Sequence, residues 1–157
     1  MIKTEGIILK KSDLGEADRL LTIYTKELGK VRISAKGTRK TTSKLRYSIE
    51  PISHVSLILV QGKNFLILKD AVLENQFLNI KKDLEKLKIA NEIMSIIDEA
   101  IAGEEKDEDI WELMLITLRG INQNKLSLKT IISDFKNNLI KLLGYDPEEI
   151  KEIQDIY

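Results

Sequence analysis

The stretch Arg19-Leu20-Leu21-Thr22-Ile23-Tyr24-Thr25-Lys26-Glu27-Leu28-Gly29-Lys30-Val31-Arg32-Ile33-Ser34-Ala35-Lys36 decides the fold class. Its first seven residues are rich in β-branched and aromatic side chains, which suit a pleated, half-buried surface. Its last six alternate strictly, with Val31, Ile33 and Ala35 on one face and Arg32, Ser34 and Lys36 on the other. Glu27-Leu28-Gly29-Lys30 between them has the composition of a hairpin connection, because Gly29 can take a positive φ without steric cost. The pattern predicts two antiparallel strands.

Working outward, Gly6-Ile7-Ile8-Leu9-Lys10 is a short apolar run upstream, and Val55-Ser56-Leu57-Ile58-Leu59-Val60 and Phe65-Leu66-Ile67-Leu68-Lys69 follow downstream. The last two are separated by Gln61-Gly62-Lys63-Asn64, a second hairpin signal. Pro51 stands at a strand entrance, where a missing amide donor does least harm. Five short strands in about 70 residues suit a small closed barrel of the OB type. The barrel is expected over residues 1–79 and a helical domain over 80–157, an α+β architecture.

The apolar period turns helical near Asn79. Leu84, Leu87, Ala90, Met94, Ile97 and Ile101 recur at steps of three and four, with Gly103 as a stop. A second helix runs from about Asp107, with Ile110, Trp111, Met114, Leu115 and Leu118 inward and Gly120 near its end. Ser127 caps a third, whose apolar face is Leu128, Ile131, Ile132, Phe135, Leu139, Leu142 and Leu143, with Gly144 after it. Asp146-Pro147-Glu148-Glu149 has the form of a fourth helix start.

The 157 residues contain no cysteine, so neither a disulfide nor a thiolate zinc site can hold this fold. The first residues lack the apolar core of a signal peptide, and runs such as Leu57-Ile58-Leu59-Val60 are far too short to cross a bilayer. A cytoplasmic, nucleoid-associated protein is expected. Formal net charge is zero, yet residues 1–79 hold 14 Lys or Arg against 8 Asp or Glu (14 − 8, a net of +6). Residues 80–157 hold 11 against 17 (11 − 17, a net of −6). Such asymmetry points to a basic, partner-facing module joined to an acidic one.

Between Lys30 and Arg46 lie seven basic residues and no acidic one: Lys30, Arg32, Lys36, Arg39, Lys40, Lys44 and Arg46. Interspersed hydroxyls and amides in Gly37-Thr38-Arg39-Lys40-Thr41-Thr42-Ser43 add short donors that do not block approach to phosphate oxygens. Arg32, Lys36, Arg39, Lys40, Lys44 and Arg46 are the candidate DNA contacts, and Tyr47 is placed to stack a base. The alternatives are a solvated loop that only confers solubility, or a barrel that docks an acidic protein partner. Concentration of the charge on one strand face favours nucleic acid.

No other constellation carries chemistry, and no catalytic residue, metal or cofactor is expected. Asp13, Glu16 and Asp18 crowd one segment without the further ligand a metal-dependent nuclease needs, and fit a turn better. His54, the only histidine, sits at a strand start and reads as structural. Gly37-Thr38-Arg39-Lys40 lacks the glycine and the lysine-serine ending of a phosphate-binding loop. Glu104-Glu105-Lys106-Asp107-Glu108-Asp109 reads as a solvated loop leading into first-turn carboxylates.

An ordered set of segments resembles the bacterial recombination mediator family RecO. It comprises Gly6-Ile7-Ile8-Leu9, Gly15-Glu16-Ala17-Asp18-Arg19-Leu20-Leu21-Thr22, Leu28-Gly29-Lys30-Val31-Arg32, Ala35-Lys36-Gly37-Thr38-Arg39-Lys40, Glu50-Pro51-Ile52, and the run from Phe135 through Leu142-Leu143-Gly144-Tyr145-Asp146-Pro147. The resemblance implies an N-terminal OB barrel, a helical domain and a non-enzymatic role in recombinational DNA repair. It also implies binding of single- and double-stranded DNA, annealing of complementary strands, and RecR as partner. Relatives capture the acidic tail of single-stranded DNA-binding protein on their helical domain, a contact that the acidic half of this chain disfavours. They also continue into a four-cysteine zinc module, so the resemblance is to a short form lacking that region.

Overall fold

In a computed structural model, described over residues 1–36, 48–123 and 126–145, five strands close into a barrel. The strands are β1 (Ile2–Leu14), β2 (Asp18–Thr25), β3 (Gly29–Ala35), β4 (His54–Gln61) and β5 (Leu66–Asn75). Their order round the barrel is β1-β2-β3-β5-β4, with β4 pairing back onto β1. Every pairing is antiparallel except β3 with β5. Closure satisfies the backbone groups that an open sheet would leave at its edges. This is the five-stranded OB-type barrel expected, with β1 and β5 longer than their apolar runs alone indicate.

Alternation builds the core. Ile8, Leu21, Ile23, Val31, Ile33, Ala35, Val55, Leu57, Leu59 and Leu68 point inward and are almost fully buried. Register shifts in β1 near Ile8 and in β4–β5 near Ile58 let the strands coil tightly enough to close. Gly29 adopts φ 71° in the β2–β3 turn, as its place in that turn requires. The Thr25 hydroxyl donates to the Gly29 carbonyl at 2.8 Å and accepts from the Leu28 amide at 2.9 Å, locking the turn. Ser34 departs from the expected polar face and is buried. Its small side chain lies between Leu20 on β2 and Ile67 on β5, which overshadow it.

The helices are α1 (Leu78–Lys81), α2 (Leu84–Ala100), α3 (Glu108–Gln123) and α4 (Leu128–Leu142). Ser127 caps α4, its hydroxyl accepting from the Thr130 amide at 3.2 Å. The Asp83 carboxylate serves α2 in the same way, accepting from Glu85 and Lys86. Trp111, Met114, Leu118 and Phe135 are buried as expected. Leu84 and Leu142 are exposed instead, because each ends its helix and projects past the packed face. The single turn α1, entered through Phe77 at φ 51°, had no signal in the apolar period. The helix start at Asp146-Pro147 lies outside the described residues.

The chain forms two compact units. One is residues 1–76 with 97–107, and the other is 77–96 with 108–157. The last turn of α2 and the acidic loop after it therefore cluster with the barrel. No helix among the described residues is long and apolar enough to cross a membrane.

Candidate nucleic-acid interface

Outward-facing positions on β1, β2 and β3 form one continuous face. Lys10 lies opposite Thr22 and Thr22 opposite Arg32, while Tyr24 lies opposite Lys30. In OB barrels, the face of strands 2 and 3 with the adjoining 1–2 and 4–5 loops is where oligonucleotides bind. Here the two ends of that face differ.

At the Gly29 end, the 97–107 segment sits on the strands. The Lys30 ammonium donates to the Asp98 carbonyl at 2.6 Å and reaches the Asp98 carboxylate at 3.4 Å. The Lys10 ammonium meets the other Asp98 oxygen at 2.8 Å, so one carboxylate serves two cations across β2. Burial works against the charge of Asp98, but hydrogen bonds and attraction from Lys10 and Lys30 outweigh it and hold its carboxyl below the ordinary 3.8. Tyr24 is fully buried and its hydroxyl donates to the Asp107 carbonyl at 3.3 Å. Burial, with the nearby Asp107 charge, pushes the Tyr24 phenol from 10.0 up to about 12. A Cβ on Gly29 would run into the Glu105 backbone, so the loop needs glycine there for close approach as well as for φ. Glu104, Glu105 and Lys106 expose their side chains as a solvated loop would, but their backbone is seated on the barrel.

At the other end, Arg32 and Lys36 are exposed and have no ion-pair partner among the described residues. Arg39, Lys40, Lys44, Arg46 and Tyr47 lie outside the described residues. The structure thus separates Lys30, whose charge is offset internally, from Arg32 and Lys36. It also moves acidic charge onto the barrel. Residues 1–76 with 97–107 carry 15 basic and 13 acidic side chains (15 − 13, a net of +2), not the +6 of residues 1–79. Their basic character is local to β3 and the segment after it.

Asp13, Glu16 and Asp18 lie at the β1–β2 hairpin, where Asp13 pairs with Arg19 across the strands and Gly15 takes φ 67°. Among the described residues no group of three His, Asp or Glu side chains is placed to hold a metal ion. His54 is buried on β4, its Nε2 2.9 Å from the Glu5 carboxylate of the neighbouring strand, a structural pairing. Two residues beside this face do not stand out in the pattern of residues: Asp98, inside an ordinary amphipathic helix, and Phe65, beside the β4–β5 turn.

A closed five-stranded OB-type barrel with one basic strand end, followed by a helical domain, defines the class. Within it, the chain belongs to the RecO family: recombination protein O N terminal matches residues 1–77, and recombination protein O C terminal matches residues 81–152. Similar proteins include the DNA repair protein RecO of Thermoanaerobacter sp. (strain X514), 30% identical over 94% of this chain and 60% of the relative. That of Roseiflexus sp. (strain RS-1) is 34% identical over 93% of this chain and 51% of its own length. That of Clostridium perfringens (strain 13 / Type A) is 32% identical over 92% and 59%. The chain therefore spans roughly 50–60% of the length of these relatives.

Proposed function

We propose that this chain acts in recombinational DNA repair, binding single-stranded DNA along β3 and the basic segment after it and helping complementary strands to anneal. Arg32 on the outer face of an OB strand and Lys36 just past its end, both exposed and without an ion-pair partner among the described residues, carry this reading. In sequence they run straight into Arg39, Lys40, Lys44 and Arg46. Annealing is opposed by repulsion between two phosphate chains. A cationic surface that neutralises both lowers that barrier with no covalent step. Six phosphate contacts correspond to a log–log salt slope of about −4 for a single strand, at roughly 0.7 per contact. By family, RecR is the proposed protein partner, and the proposed location is the cytoplasm, at the nucleoid.

A fluorescence annealing assay with complementary strands at two salt concentrations tests the activity. Acceleration that fades at the higher salt is expected, and no acceleration at either would contradict it. Arg39→Ala with Lys40→Ala is expected to flatten the binding slope by about 1.4 units. An unchanged slope would remove those two residues from the site. A barrel that docks only an acidic protein would show no affinity that grows with oligonucleotide length.

A further inference from the structure

The β4–β5 turn brings an aromatic ring beside the basic strand. β3 and β5 run parallel, with Ile33 opposite Leu66 and Ser34 opposite Ile67. Arg32 precedes Ile33 on β3 and Phe65 stands just before β5, and the two line a common cleft. Ile33 and Leu66 pack toward the barrel core, so Arg32 and Phe65 fall on the outer side. The turn is held by the Gly62 amide, which donates to the Phe65 carbonyl at 3.0 Å.

Arg32 and Phe65 line one cleft of about 570 Å³, within the roughly 300–1,000 Å³ of small-ligand sites. Gln61 and Asn64 line it as well, and Asp98 and Glu104 form the wall toward the Gly29 end. Each amide offers both donors and an acceptor, which suits the edge of a heterocycle. The half-buried ring of Phe65 supplies a face for stacking. Lys30 and Lys10 take up the charge of Asp98, so Glu104 is the carboxylate that repels phosphate from the inner wall, whereas Arg32 attracts it at the other side. A nucleotide entering here has its base inward and its phosphate toward Arg32 and Lys36.

We infer that this cleft takes one unstacked base of a single strand, with Phe65 as the stacking platform and Asn64 and Gln61 on the base edge. The inference rests on the nucleic-acid reading above and deepens it. A charged strand end alone recognises phosphates and is indifferent to bases. A base subsite adds preference for base-bearing single strands, since a paired base must first be unstacked and unpaired.

The test measures binding of the full chain to oligothymidylate and to an equally long strand in which abasic sugars replace the nucleosides, leaving the phosphates unchanged. The wild-type chain is expected to prefer the thymidine strand by about tenfold, from stacking of one base. Phe65→Leu should abolish that preference and leave both the affinity for the abasic strand and the salt slope unchanged. Phe65→Tyr should restore it. Equal wild-type affinity for the two strands would overturn the inference while leaving the nucleic-acid reading intact, and it needs no variant to fold. Binding of neither strand at low salt would overturn both. Thymidine monophosphate alone should bind only in the millimolar range, and micromolar binding would assign the cleft to a free nucleotide instead.

Discussion

Lys30 and Arg32 stand two residues apart on the same side of β3, yet they belong to different electrostatic worlds. Lys30 is largely buried and its ammonium is held by Asp98, which also holds Lys10. Arg32 is exposed, as is Lys36 further along, with no ion-pair partner among the described residues. A run of basic residues is therefore not a uniform patch. The acidic segment 97–107 cancels charge at one end of the strand and leaves it available at the other. Solvent screening makes exposed pairs worth little for stability, so the half-buried Lys30–Asp98 contact is the one expected to matter for packing.

The largest effect expected on this contrast is structural. Gly29→Ala places a Cβ against the Glu105 backbone at a left-handed φ, and should lower stability by about 2–4 kcal/mol in urea titration. A loss below about 0.5 kcal/mol would mean that the loop rises from the turn without penalty. Asp98→Asn comes next. It removes the shared counter-ion of Lys10 and Lys30, and should cost about 1–2 kcal/mol while steepening the DNA salt slope by up to roughly 0.7. Tyr24→Phe is smaller, about 0.5–1 kcal/mol, for a long hydrogen bond to the Asp107 carbonyl.

Titration sharpens the same contrast. Asp98 has a folded pKa below its ordinary 3.8, so its contribution is complete above 3.8 and is lost as pH falls through the lowered value. Acid melts of the wild-type chain and Asp98→Asn should therefore converge below that window and diverge above it. Tyr24 has the opposite sense. Its phenol is raised from 10.0 to about 12, so the stability it contributes is complete below pH 10 and fades between 10 and 12. Tyr24→Phe should lessen alkaline destabilisation in that range, and identical alkaline limbs would contradict the burial of the phenol.

The barrel was legible where one face meets a core. Val31, Ile33 and Ala35 alternate because the inner face excludes water, and Gly29 marks the turn because few other residues tolerate its φ. Ser127 was legible as a cap for the same local reason. What local pattern could not carry was pairing across long separations. Asp98 lies 68 residues from Lys30 and is indistinguishable in sequence from any polar position of an amphipathic helix. Counting charge by halves put that carboxylate with the helices, whereas the fold puts it on the barrel. In sequence Phe65 shows only as a strand residue, because the cleft it shares with Arg32 depends on the parallel β3–β5 pairing. Leu84 and Leu142 fit the helical period but lie at helix ends, where periodicity no longer implies burial.

The most direct measurement is the salt dependence of single-strand affinity for three proteins side by side: wild type, Lys30→Ala, and Arg32→Ala with Lys36→Ala. A slope flattened by about 1.4 in the double variant and unchanged in Lys30→Ala is predicted, since only the former loses two phosphate contacts. Equal slopes in all three, or a flatter slope in Lys30→Ala alone, would contradict the division of β3 into a neutralised end and a binding end.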